Sequence, residues 1–501
     1  MAQAFAPRMP RGCSWLMLTI VSISFAVRPS SGQAPPPADA KAAGKAAPVP
    51  PRADPKPAAP PEEAAESDPE AEVFVDPKAK ALLAKFNLLT YVGPTIKVSG
   101  GSDDRGKVLN MVAGNENLNK DFLKNYVNFF AIELTKRDYI NAIVNPPAGA
   151  PANSPQSRGL ERAVDALTKP IVDARFNKDK SAAFLDAYSR TLFDSKLVAI
   201  LDDNYLSRIG AMIVLGMAGY NSPAALDLYA AQLKDPDQVI WAKSWACRGL
   251  TNASQQGAIN IEQSKAINGA EAVIAFLDSD PKLPWPAKVR ALEALGSLRL
   301  ATANKPGGKV DAASAAFRNL VDPGAAFEVR AWAAWALGMI KVSGQVSPYN
   351  FALVGQEIGE LAIDLGSRIV EEYDDNQANF EREKEEAHHL SSLLIYQVIP
   401  SLSGVEGIND SGLLNSSHPN MAAVKSLMTK LDEKIKAVAR ESYELIRAGG
   451  TSQKDKRNDL DSKVADLKQF IGQISPKGRK VVPDGPEFPA VAPQVAGAAG
   501  R

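Results

Sequence analysis

The sequence predicts an all-α protein: an α–α superhelix of stacked helical hairpins, a C-terminal helical bundle and disordered termini. Three observations carry that reading. A nine-residue frame recurs four times, at 208–216, 241–249, 288–296 and 330–338, and its closing glycines lie 33, 47 and 42 residues apart. A period of that length belongs to helical-hairpin repeats. Composition is that of a globular chain, 45% apolar and 23% charged over 501 residues. Beyond the frame, apolar residues recur every three or four positions, the helical period.

From the N-terminus, Arg8 and Arg11 precede a short apolar core at 15–27, and Ser30, Ser31 and Gly32 follow it. That order is expected of an export signal over 1–33. Its thirteen apolar-core residues fall short of the ~20 that span a bilayer. Residues 34–72 are predicted to be a disordered linker. Of the 38 residues at 34–71, 24 are Ala or Pro, which extend a chain instead of packing it.

Folded structure is expected from residue 73, with an N-terminal helical region over 73–144. Leu82, Leu83, Phe86 and Leu89 would share one helix face. The stretch from Gly100 to Lys107 is read as a loop: it lacks phosphate-loop spacing and no apolar strand feeds it. Asp121 to Val144 reads as one long helix. Residues 145–158, rich in Pro, Ala, Asn and Ser, form a low-complexity loop.

Repeats are predicted over 159–345. Each has a first helix, an Asp-containing turn and a second helix that carries the frame. The turns hold Asp202 and Asp203, Asp235 and Asp237, Asp280, and Asp322. Their carboxylates are expected to cap the second helices. Each frame opens on a large or basic residue: Arg208, Trp241, Lys288 or Arg330. The residue before the glycine is Leu in three copies and Arg248 in the fourth. Small residues such as Gly210, Ala291 and Ala334 let neighbouring helices approach closely.

This style of second helix, Asp followed by Val-Arg and then Ala-x-x-Leu-Gly, resembles the HEAT repeat, a relative of the armadillo repeat. It is clearest at 322–340 (Val329, Arg330, Ala336, Leu337, Gly338), weaker where Lys288 takes the Arg place and weakest where Trp241 does. The resemblance spans about residues 160–340. It implies a superhelix that binds other macromolecules along a concave face, and it brings no catalytic residue.

A C-terminal bundle is predicted over 346–475. Its helices are marked by Val354 to Ile369, His389 to Pro400, Val424 to Val438 and Leu460 to Ile474. Gly449 and Gly450 stop the third, Thr451 or Ser452 caps the fourth, and so short a link implies an antiparallel pair. The bundle is expected to cap the open end of the repeat stack. Residues 476–501, broken by Pro483, Pro486, Pro489 and Pro493, are predicted to be a disordered tail.

The chemistry-bearing residues are few. Basic and acidic residues balance at 57 each, which argues against capture of nucleic acid. Past the export signal Cys247 is the single cysteine, set in an apolar stretch and expected to be a buried thiol. There are three histidines and no Gly-x-Ser-x-Gly elbow, so no catalytic residue and no cofactor is assigned. Glu385, Glu386, His388 and His389 form two overlapping Glu-x-x-His pairs, the alternative reading being a metal-binding protein or metal-dependent enzyme. The expected function is a non-enzymatic scaffold for protein partners, exported to the periplasm or cell exterior, with no transmembrane segment after the signal. The candidate partner-binding residues are Arg208, Trp241, Trp245, Trp285, Lys288, Arg330 and Trp332. The tryptophans within second helices can pack inward or stand partly exposed on the concave face. Trp285, between Pro284 and Pro286, is the candidate rigid docking knob.

Overall fold

The computed structural model describes residues 102–144, 154, 156–255, 258–342, 344, 348–377, 380, 384–449 and 452–489. The export signal, the linker, the helix at 82–89 and the tail beyond 489 lie outside the described residues. What is described is predominantly helical, as the apolar periodicity predicts.

The N-terminal region is α1 (Ser102–Ala113), α2 (Lys120–Glu133) and α3 (Arg137–Val144). Two expectations fail here. From Ser102 the glycine-rich stretch is already helix, since Gly106 costs one helical turn only about 1 kcal/mol. The long helix over 121–144 is two helices, broken after Leu134, whose side chain is buried while Thr135 turns its hydroxyl onto the Ile132 carbonyl. Asn119 caps α2 by accepting from the Phe122 N–H.

Helical hairpins follow. The first helices are α4 (Gly159–Phe176) with α5 (Lys178–Phe193), then α8 (Pro223–Lys234), α10 (Gln263–Leu277) and α12 (Ala312–Val321). A short α6 (Leu197–Ile200) leads to the frame-bearing second helices: α7 (Tyr205–Ala218), α9 (Ile240–Ala253), α11 (Trp285–Ser297) and α13 (Phe327–Met339). Each second helix packs on the next, and α8, α10 and α12 pack likewise, giving two layers. This arrangement is compatible with an α solenoid.

The frame glycines mark where the second layer closes up. A Cβ on Gly216 would overlap the Trp245 carbonyl of the next second helix, and one on Gly296 would lie 2.8 Å from Ala336 Cα. Gly249 instead seats the Tyr229 ring of its own hairpin. Backbone approaches of α7 to α9 and of α11 to α13 explain why the repeat keeps glycine at 216 and 296 despite its helix cost.

The turn aspartates do something other than predicted. Asn204 caps α7 through the Ser207 N–H, but α9, α11 and α13 begin without a side-chain cap. Asp235, Asp280 and Asp322 instead accept from the N–H two residues on, at Asp237, Lys282 and Gly324. Each shapes its own turn before the helix starts.

One hairpin carries an insertion that was not predicted. Strands β1 (Thr302–Lys305) and β2 (Gly308–Asp311) pair antiparallel across a Pro306-Gly307 turn, with Gly307 at φ +83°. Among the described residues they form the only sheet.

The two-layer pattern runs past the last frame. α14 (Phe351–Asp375) packs on α12, and α15 (Glu385–Leu393), a π turn (Leu394–Val398) and α16 (Ile399–Ser403) pack on α13. Gly338 meets the Ser401 backbone just as the earlier glycines meet theirs. The π turn has a cause in the sequence. Pro400 has no N–H and its ring crowds the carbonyl four residues back, so the helix takes in an extra residue. Beyond a 3-10 turn (Leu413–Asn415), α17 (Pro419–Arg447) and α18 (Ser452–Ile471) pair and cover α14. The linker residues Gly450 and Thr451 lie outside the described residues.

Residues 476–489 are not the disordered tail predicted. They run as a strap over α12 and α14. Val481, Val482 and Phe488 are buried, and Phe488 meets Phe317 edge-on with ring centroids 4.8 Å apart. Arg479 pairs with Glu357 at 2.9 Å. The Asn350 amide donates to the carbonyls of Lys477, Gly478 and Lys480, while its oxygen caps α14. Phe488→Ala is therefore expected to cost about 3 kcal/mol, the value of a buried phenylalanine. Urea denaturation reads it, and a loss below about 0.5 kcal/mol would mean the strap is only a surface tail.

Candidate functional site

The seven candidate partner-binding residues divide by burial. Arg208 is 4% exposed, so it offers no surface, a correction to the sequence reading. Its Nε donates to the Asp203 carbonyl at 2.6 Å and its Nη1 to the Asp237 carbonyl at 3.4 Å, tying its own turn to the next. Arg330 is likewise committed: Nε donates to the Leu320 carbonyl at 3.0 Å and Nη1 pairs with Asp364 at 2.8 Å. Lys288 donates to the Pro281 carbonyl at 3.4 Å. The basic opening of the frame thus has one physical role. It donates to backbone carbonyls outside the frame, in the turns at Asp203, Asp237 and Pro281 and in the last turn of α12 at Leu320.

Trp245 is 7% exposed and packs over Gly216, so it too is corrected from surface to core. Trp335, buried beneath it in the stack, lies over Gly296, and Trp332 crosses it edge-on at 5.2 Å with its own ring half-buried. Trp241 is half-buried. Trp285 differs from all of these. It is 48% exposed, and it is the first residue of α11, held between Pro284 at the cap and Pro286 inside the first turn. Tyr396, on the π turn, Phe176 and Tyr443 are the other large exposed aromatics among the described residues. For Tyr396, Pro400 was the one advance signal.

Among the described residues the two Glu-x-x-His pairs are not brought together around one point. His389 Nε2 lies 2.9 Å from Glu328 of α13, and Glu386 pairs with Arg368 of α14 at 3.3 Å. The two members of that Glu-x-x-His pair serve different neighbours. Burial pushes the Glu328 carboxyl up, but the bond to His389 and a backbone N–H outweigh it and hold it below the usual carboxylate range. Glu385 is exposed and His388 half-buried. Among the described residues no three His, Cys, Asp or Glu side chains are placed to share an ion.

Behind the second layer sits a charge cluster the sequence only hinted at. Glu293 of α11 accepts from Arg248 of α9 at 2.5 Å and from Arg290 at 2.7 Å, fully inside the protein. Burial pushes its carboxyl up, and the two guanidiniums outweigh that and hold it below its ordinary range. Arg248 is the one non-leucine before a frame glycine, so the departure was visible and its partner was not. Arg175, which donates to the Ala218 carbonyl at the end of α7, is pushed down to about 10 by burial and by nearby Arg248. Cys247 is fully buried, and burial pushes its thiol well up, so it is inert at neutral pH.

No described helix is long and apolar enough to cross a membrane. No protein family, curated protein or solved structure matches this chain.

Proposed function

We propose that this protein is a non-enzymatic scaffold that binds a protein partner at the edge of its second helical layer, in the cell envelope. One observation carries the reading: Trp285, a large aromatic held half in water between two prolines where α11 begins. Keeping such a side chain exposed has no packing benefit, and a stiff backbone lowers the entropy lost on binding. Half-buried Trp332 on α13 is a further aromatic candidate in the same layer. Export rests on the basic and apolar order of residues 8–32. Equal numbers of acidic and basic residues favour a protein partner over nucleic acid.

The test is crosslink-assisted capture from the envelope of the source cell, wild type beside Trp285→Ala. The variant should lose no more than about 1 kcal/mol of stability, since half of the side chain is already in water. A recurrent protein captured by wild type and lost from the variant supports the proposal. Equal capture by both sinks Trp285 as the docking point, and metal content of the purified protein then decides the alternative reading.

A further inference from the structure

Three features that the scaffold reading does not use meet at one place. The β1–β2 insertion, the strap and the start of α12 border an open cleft of about 250 Å³. Insertions in repeat proteins tend to gather on a binding face. Here β1 and β2 supply Lys305, Lys309 and Asp311, and the strap closes one side with Pro486.

The charges around the cleft are not equally committed. Glu271 is bonded by both Lys234 and Lys305, and those two bonds hold its carboxyl below the ordinary range. Asp311 caps α12 by accepting from the Ser314 N–H at 2.9 Å, so its charge sits on a helix N-terminus. Both carboxylates are thereby offset. The remaining cations are loosely held. Lys309 is 3.6 Å from Asp484, which is 83% exposed, and Arg318 pairs with Asp278 where both side chains are about half in water. Exposed pairs of that kind contribute little and exchange readily.

Ser314 adds an independent observation. It lines the cleft and is 2% exposed, yet its Oγ has no hydrogen-bond partner among the described residues. An unsatisfied buried hydroxyl is costly unless something satisfies it. Gly485 of the strap lies directly over it: a Cβ there would come within 2.8 Å of the Oγ.

We propose that this cleft binds a small organic anion by a carboxylate or phosphate group, with Lys309 and Arg318 supplying charge and the Ser314 hydroxyl donating from the first turn of α12. Apolar Ile274, Val310 and Pro486 would face the rest of the ligand. The proposal is independent of the scaffold reading.

Calorimetric melting of the full-length protein tests it, with inorganic phosphate and with citrate as probes and sodium chloride holding ionic strength constant. A saturable rise of about 2 °C is expected at about a hundred times Kd. A response to phosphate alone assigns a phosphate ligand, and a response to citrate alone assigns a carboxylate. The Lys309→Ala, Arg318→Ala double variant should melt nearly as wild type without probe and lose the rise. Ser314→Ala should melt no lower than wild type without probe, since it removes an unsatisfied hydroxyl, and should bind about fivefold more weakly. No rise with either probe, or a rise unchanged in the double variant, overturns the proposal.

Discussion

Gly338→Leu is expected to cost more than about 4 kcal/mol and to detach the C-terminal hairpins from the repeats. Even one extra carbon has no room. A Cβ would overlap the Cα and carbonyl oxygen of Ser401, and backbone atoms cannot swing aside as the tip of a side chain can. The same residue holds the next loop, since its carbonyl accepts from the Gly412 N–H at 2.7 Å. Gly338→Ala alone should cost about 2–3 kcal/mol, typical of overpacking a rigid contact. Gly106 provides the control. It is also helical, but nothing lies within 4 Å of a Cβ placed there, so Gly106→Ala should stabilise by about 0.5–1 kcal/mol. Urea unfolding followed by circular dichroism measures all three. A repeat stack can come apart in steps, so the Gly338 variants should unfold first at the C-terminal end. If Gly338→Ala were as stable as wild type, the close approach of α13 and α16 would be wrong.

That contact also shows how far a local pattern reaches. The glycine near the end of each second helix, preceded by Leu in three copies of four, is visible as a repeat, and the two helical layers follow from it. The pattern stops at Gly338, so residues 346–475 read as a separate bundle. Yet α14 with the α15–α16 helix continues both layers. Its contact residue is Ser401, beyond a π turn that shifts the register, and no frame glycine announces it. The strap was missed for a related reason. Pro483, Pro486, Pro489 and Pro493 and an end rich in Gly and Ala describe a disordered tail, and nothing local to Phe488 reveals that Phe317 awaits it. Pairings across more than a hundred residues leave no mark on composition.

The candidate site was legible in an equally uneven way. Trp285 stood out because flanking prolines are a local signal, and its exposure matches the role proposed for it. Arg208 and Arg330 were misjudged because charge alone suggests a surface. The carbonyls they satisfy, of Asp203 and Asp237 for Arg208 and of Leu320 for Arg330, lie outside the frame, and its spacing does not display them. The turn aspartates repeat the lesson: the residue type was right for capping, but Asp235, Asp280 and Asp322 each lie four positions before the helix cap, at Val239, Pro284 and Ala326, and shape the turn instead.

Glu293→Ala is expected to cost about 3–5 kcal/mol, because it strands two cations inside the protein. Arg248 keeps one Nε without a partner even in the wild type, and Arg175 adds a further positive charge nearby. Arg290 is better placed to escape, its side chain being 22% exposed. The cost should therefore fall chiefly on Arg248. Leucine fills that frame position in the other three copies, so the double variant Arg248→Leu, Glu293→Leu should recover most of the loss. Replacing a buried ion pair by packed apolar groups is often neutral or better. The pH dependence separates this from a simple cavity. Glu293 is held below the ordinary glutamate value of 4.5, so its ion pairs stabilise the fold above that pH and fade as pH falls beneath it. Urea midpoints at about pH 7 and about pH 3 should show the gap between wild type and Glu293→Ala closing in acid, while the double variant changes less than either. A gap that stays constant over that range would mean the loss at Glu293 is one of packing, and the two arginines would need another explanation for their burial.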